Sequence, residues 1–147
     1  MIFHGRTPVT EVILHTSATP TGWANGKTAQ DVVEEFDRWH KDRGWSGIGY
    51  HRILMPSGEI GVGRSLWDTG AHVSGHNTGT IGICLIPEVF VDTIGRFSDF
   101  YTKQQEIALR EYIRSLLEYT AIQKVSGHND YAAKNCPCFR VKTSDWL

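Results

Sequence analysis

The run Thr80-Ile81-Gly82-Ile83-Cys84-Leu85-Ile86 shows no polar alternation. A strand half exposed to water alternates apolar and polar side chains, whereas a nearly continuous apolar strand is buried on both faces, in the centre of a sheet. The chain must therefore supply covering layers, and two amphipathic segments fit. Thr28 reads as an N-cap with Asp31 as its capping partner, and Val32, Val33, Phe36, Trp39 and His40 follow at helical spacing before Gly44. That pattern predicts a helix over 28–43. Thr102 and Gln105 form a second capping box, and Ile107, Leu109, Tyr112, Ile113, Leu116 and Leu117 extend a helix to Tyr119.

The other segments supply strands and loops. Val12-Ile13-Leu14, between Pro8 and Pro20, reads as a short buried strand with His15 at its C-terminal end. Gly47 to Met55 and Ile60 to Arg64 flank a Pro-Ser-Gly turn and read as paired strands. On a strand the neighbours Tyr50 and His51 point to opposite faces. Thr69 to Gly82 is a glycine-rich loop, Pro87 to Tyr101 is irregular, Ile122 to Val125 is a last short strand, and Trp146 marks a terminal helical turn. The expected fold class is α/β: a single domain spanning 1–147, with a central mixed β-sheet flanked by α-helices.

Composition excludes several function classes. With 147 residues, 40% hydrophobic and 21% charged, the chain reads as one soluble globular domain. No apolar run approaches the ~18 residues of a membrane span. A net charge of -1 provides no basic field for nucleic acid. Three cysteines are an odd count, better suited to a reducing compartment or a metal-bound thiolate than to a disulfide framework. Met1 to Arg6 has no secretory signal pattern, so synthesis in the cytoplasm without a signal peptide is expected.

Chemistry concentrates near the end, in Gly127-His128-Asn129-Asp130-Tyr131-Ala132-Ala133-Lys134-Asn135-Cys136-Pro137-Cys138-Phe139. Imidazole and thiolate are ligand types that zinc prefers, and such a site needs a third protein ligand, for which the strand-end His15 is the candidate. Taken singly, each histidine is an ordinary structural or surface group and Lys134 a solvated loop lysine. Two histidines and one cysteinate would leave a tetrahedral position open for water, the mark of a catalytic rather than a structural zinc. Zinc lowers the pKa of bound water to about 7, and Lys134 could supply the charge that stabilises an oxyanion. Cys138 is a rival ligand to Cys136. His72, His76 and Asn77 are candidates for lining a substrate groove; His4, His40 and His51 read as structural, and Trp23 and Trp45 as packing groups that could also stack on sugar or peptide.

Trp39-His40-Lys41-Asp42-Arg43-Gly44-Trp45 running on to Gly49-Tyr50-His51, with His15, Ser74-Gly75-His76-Asn77, Ile81-Gly82-Ile83 and the Lys-x-Cys-Pro-x-Phe ending, resemble the zinc N-acetylmuramoyl-L-alanine amidases. The phage lysozymes of that type are the nearest match, and peptidoglycan recognition proteins share the fold. The resemblance runs from Val12 to Phe139 with the motifs in the same order. It implies one zinc ion per chain ligated by His15, His128 and Cys136, and catalytic assistance from Tyr50 and Lys134. Within the family the spacing favours Cys136 over Cys138, and some relatives carry a glutamate where this chain has Cys84.

The implied reaction is hydrolysis of the amide between the lactyl group of N-acetylmuramic acid and the L-alanine of the stem peptide. The implied partner is bacterial peptidoglycan, attacked by a monomeric phage endolysin after release across the membrane. Two other functions go with the same resemblance: a non-catalytic peptidoglycan-binding module, and inhibition of phage RNA polymerase.

Overall fold

In the computed structural model, which describes residues 1–147, a hairpin of β1 (Phe3–His4) and β2 (Thr7–Pro8) precedes β3 (Glu11–Thr16). Then come α1 (Ala29–Asp42), β4 (Arg52–Leu54), β5 (Ile60–Val62) and β6 (Thr80–Leu85). The chain ends with α2 (Phe97–Phe100), α3 (Lys103–Leu116), β7 (Lys124–Gly127), a 3-10 turn at His128–Asp130 and α4 (Thr143–Trp146). The main sheet has the order β5-β4-β6-β3-β7, mixed because only β4 and β5 pair antiparallel. The apolar strand β6 is its middle member, every residue buried.

Alternation along the strands sorts the side chains into two layers. Val12 and Leu14 of β3 and Ile81, Ile83 and Leu85 of β6 pack with Leu109, Ile113 and Leu116 of α3 and Trp146 of α4. On the other face Ile53 and Cys84 pack with Val32, Val33 and Phe36 of α1. Each fully buried Leu or Ile contributes about 1.5–3 kcal/mol relative to exposure. Gln105 is buried among them, and its Nε2 donates to the Leu54 and Ile86 carbonyls at 3.2 and 2.7 Å.

Both long helices carry the reciprocal capping boxes at Thr28 and Thr102 that the sequence predicts. After α1, Gly44 takes φ +87°, and the Gly44 and Trp45 amides donate to the Lys41 and His40 carbonyls. That geometry closes the helix and favours glycine. Several boundaries differ from expectation: α3 ends at Leu116 rather than Tyr119, and β5 ends at Val62 rather than Arg64. The Gly47–Met55 segment is strand only at Arg52–Leu54, because the Ile48 and Gly49 amides donate to Asp37 Oδ1 and His40 Nδ1 instead of a neighbouring strand. Tyr50 and His51 thus precede the strand. The last strand starts at Lys124 rather than Ile122 and runs to Gly127, which pairs with Leu14. The stretch after Pro87 is not wholly irregular, since it contains α2.

Candidate metal centre and groove

Strands β3 and β7 are parallel neighbours, so their C-terminal ends lie at the same end of the sheet. In open α/β sheets that end is where ligands bind. His15 sits near the end of β3 and His128 directly follows β7. The closing loop then folds back: Asn129 N–H donates to the Cys136 carbonyl at 2.8 Å, and Asn129 Nδ2 reaches the Asn135 and Phe139 carbonyls at 3.3 and 3.2 Å. The fold-back brings Cys136 beside His15. The ligand atoms of His15, His128 and Cys136 all lie within 4.8 Å of one another, with His15 Nδ1 4.0 Å from Cys136 Sγ.

This donor set fits a tetrahedral zinc ion. Zinc bonds of about 2.0–2.3 Å would separate two ligand atoms by roughly 3.3–3.6 Å. Side-chain movements of about 1 Å or less close that difference. Cys136 Sγ also accepts the Thr16 main-chain N–H at 3.2 Å, a bond that supports a thiolate. Cys138, by contrast, is 3% exposed, sits at φ +71° and takes no part in the cluster.

Burial sets the protonation states. It lowers His15 well below the usual histidine range, helped by His72, His128 and Lys134. Burial and then the Lys134 charge lower His128 as well. Burial pushes the Cys136 thiol up to about 11, against the Thr16 hydrogen bond. At neutral pH the free site therefore holds two neutral imidazoles and a thiol, and a metal ion must displace one proton.

Beside the cluster, the Tyr50 ring lies 5.2 Å from the His15 ring and also packs against Phe36 and His40. Burial raises its phenol well above the usual tyrosine range, so it keeps its proton at neutral pH and is available as a hydrogen-bond donor. Lys134 is exposed and lines a cleft of about 530 Å³ together with Trp45, His72, Val73, Asn77, His128 and Tyr131. A second cleft of about 620 Å³, between Met1, Trp67 and Tyr119, contains only Arg52 and Ser65 as strongly polar groups. Arg52 is already committed to Tyr112 Oη and the His51 carbonyl.

The three histidine-loop candidates separate. His72 lines the groove but is only 9% exposed, and both ring nitrogens are engaged, with His15 Nε2 at 2.9 Å and Thr80 Oγ1 at 3.2 Å. Asn77 also lines it, yet its Oδ1 accepts the His72 and Val73 amides at 2.8 Å each. His76 lies outside the cleft and stacks on Tyr131 with ring centres 4.1 Å apart. His51 is structural: its Nδ1 accepts the Gly82 amide at 3.0 Å and its Nε2 meets the Asp68 carbonyl at 2.8 Å.

Sequence reasoning passed over Tyr131, whose hydroxyl donates to Glu11 Oε2 at 2.6 Å and accepts from Lys124 Nζ at 3.0 Å. Of the two readings of Trp45, packing and stacking on sugar or peptide, its 40% exposure on the groove wall favours the second. The available signal was their position, Tyr131 in the closing loop and Trp45 in the segment after α1.

Known proteins share both sequence and fold with this chain. The family model described as N-acetylmuramoyl-L-alanine amidase matches residues 5–139. The endolysin of Enterobacteria phage T3 is 34% identical over 141 residues, covering 95% of this chain and 87% of that protein. The endolysin of Klebsiella phage KP32 is 34% identical over 142 residues with the same coverage. Among solved structures, the N-acetylmuramoyl-L-alanine amidase LysC from Clostridium intestinale URNW superposes with a TM-score of 0.68 at 29% identity, over 87% of this chain and 75% of that one. The bumblebee peptidoglycan recognition protein PGRP-SA shares the fold, with a TM-score of 0.75 at 22% identity over 95% of this chain and 83% of that one.

Proposed function

The chain belongs to the N-acetylmuramoyl-L-alanine amidase family, and from that premise we propose that it is a zinc-dependent phage endolysin cutting the amide between the lactyl carbonyl of N-acetylmuramic acid and the L-alanine of the stem peptide. The observation that carries the reading is the meeting of His15, His128 and Cys136 beside a groove that also holds Lys134. One ion held by those three residues would supply a Lewis acid for the water and the lactyl carbonyl.

The remaining work falls to the chain's own groups. The neutral His15 and His128 offer lone pairs without first losing protons. The Lys134 ammonium places positive charge at the groove, where negative charge develops on the carbonyl oxygen. The Tyr50 phenol donates a hydrogen bond to the reacting carbonyl or water, and its ring shields the site from bulk solvent. Trp45 and Tyr131 form walls that position the substrate near the cluster. No helix of the chain is long and apolar enough to cross a membrane.

The test is digestion of purified peptidoglycan with and without a chelator, assaying new L-alanine amines against new reducing ends. New amines that disappear with the chelator support the reading. Reducing ends without amines mean a glycosidase, and binding without either product means a non-catalytic module.

A further inference from the structure

A histidine ligates a metal through the nitrogen that lacks a proton, so the hydrogen bond made by its other nitrogen decides which one is available. For His15 that decision can be traced back through two side chains. Thr80 Oγ1 lies 2.8 Å from the His76 carbonyl and 3.1 Å from the Asn77 carbonyl. Carbonyls only accept, so the hydroxyl proton points to them and Oγ1 is left as an acceptor for His72 Nε2 at 3.2 Å. His72 therefore carries its proton on Nε2 and presents a bare Nδ1. That nitrogen accepts the proton of His15 Nε2 at 2.9 Å. His15 Nδ1 is left bare, 4.0 Å from Cys136 Sγ.

We propose that His72 is a positioning residue, and that Thr80 and His72 together fix the tautomer and ring orientation of His15 so that Nδ1 faces the metal site. The inference rests on the metal-binding reading of the site. Its support is a dedicated seat for His72. A Cβ at Gly82 would come within 2.5 Å of the His72 ring, so β6 leaves a glycine-sized space where that ring lies. Asn77 Oδ1 gathers the His72 and Val73 amides at 2.8 Å, which holds the loop over β6. A groove residue selected to touch substrate would keep a nitrogen free for it, and His72 keeps none.

The test reads the tautomer directly. Long-range ¹H–¹⁵N correlation spectra of the zinc-free protein should show His15 as the Nε2–H tautomer. In His72→Phe the Nδ1–H form should become populated, and zinc affinity, measured by chelator competition, should fall about 10–100-fold. Thr80→Val should weaken zinc in the same direction, and Thr80→Ser should restore it. An Nδ1–H tautomer in the wild type would overturn the proposal, as would unchanged His15 tautomer and zinc affinity in both His72→Phe and Thr80→Val. If His72→Phe does not fold, the wild-type spectrum and the Thr80 pair still decide. A wild type that takes up no zinc would refute the metal reading instead, while its His15 tautomer would still judge the hydrogen-bond relay.

Discussion

The main-chain N–H of Thr16, the last residue of β3, donates to Cys136 Sγ at 3.2 Å across 120 residues of sequence. One end of the sheet therefore supplies both a ligand, His15, and a donor that steadies another ligand. The consequences can be measured residue by residue.

Cys136→Ser should lose the thiolate and lower zinc affinity at least ~10-fold, with activity falling alongside. Cys138→Ser should keep one zinc per chain and near-normal activity, since Cys138 is buried away from the cluster. Metal analysis of both purified variants checks this, and the opposite pattern would exchange the two cysteines.

Zinc uptake should release about one proton per ion near pH 6.5. The Cys136 thiol is pushed up to about 11 and must ionise, whereas His15 and His128 are held below the usual histidine range and enter already neutral. Calorimetry in buffers of different ionisation enthalpy counts the protons. A count approaching three would mean that the histidines are charged in the free site.

Tyr50→Phe should lower kcat by about 10²-fold while zinc content and melting temperature barely change. The variant keeps the ring that packs on Phe36 and His15 and removes only the donor hydroxyl. Because burial raises the Tyr50 pKa, any basic limb of the activity profile near neutrality belongs to another group. Steady-state kinetics against pH, with metal content measured on the same samples, tests both statements.

Lys134→Gln should also reduce kcat, by about 10²-fold if the ammonium stabilises the oxyanion. In the zinc-free protein the same change should raise the His128 pKa, since the Lys134 charge helps to lower it. An NMR titration of His128 reads this independently of catalysis. An unshifted pKa would place the ammonium elsewhere.

Acid should destabilise the fold through His51, whose pKa burial lowers from the ordinary histidine value of 6.5 to about 4. A depressed histidine pKa means that the unfolded chain binds the proton more readily. Its contribution is therefore complete above pH 6.5 and is lost as pH falls from 6.5 toward 4. The shift sets an upper bound of roughly 3–3.5 kcal/mol. Urea midpoints of the wild type between pH 7 and 4 should drop, and should drop less steeply in a His51→Asn variant.

Much of the fold was legible because its signals are local. Thr28 and Thr102 start their helices with side chains one turn away, and β6 announces its burial in its own composition. The boundaries that moved depend on distant partners: the Ile48 and Gly49 amides go to Asp37 and His40 instead of a neighbouring strand. The site was readable as residue types and order, but its connections were not. Nothing in the local sequence couples Thr80 to His72, His72 to His15, or Tyr131 to Glu11. The last two join residues 57 and 120 apart in sequence, which meet only once β3, β6 and β7 have paired.

The most direct test of the account is peptidoglycan digestion by the zinc-loaded protein in ¹⁸O-labelled water, followed by mass spectrometry of the products. The expected result is one ¹⁸O in the lactyl carboxylate of N-acetylmuramic acid, a free amine on L-alanine, and no turnover once a chelator has removed the metal. Label at a new reducing end, a cut within the stem peptide, or unchanged turnover in the metal-stripped protein would contradict it.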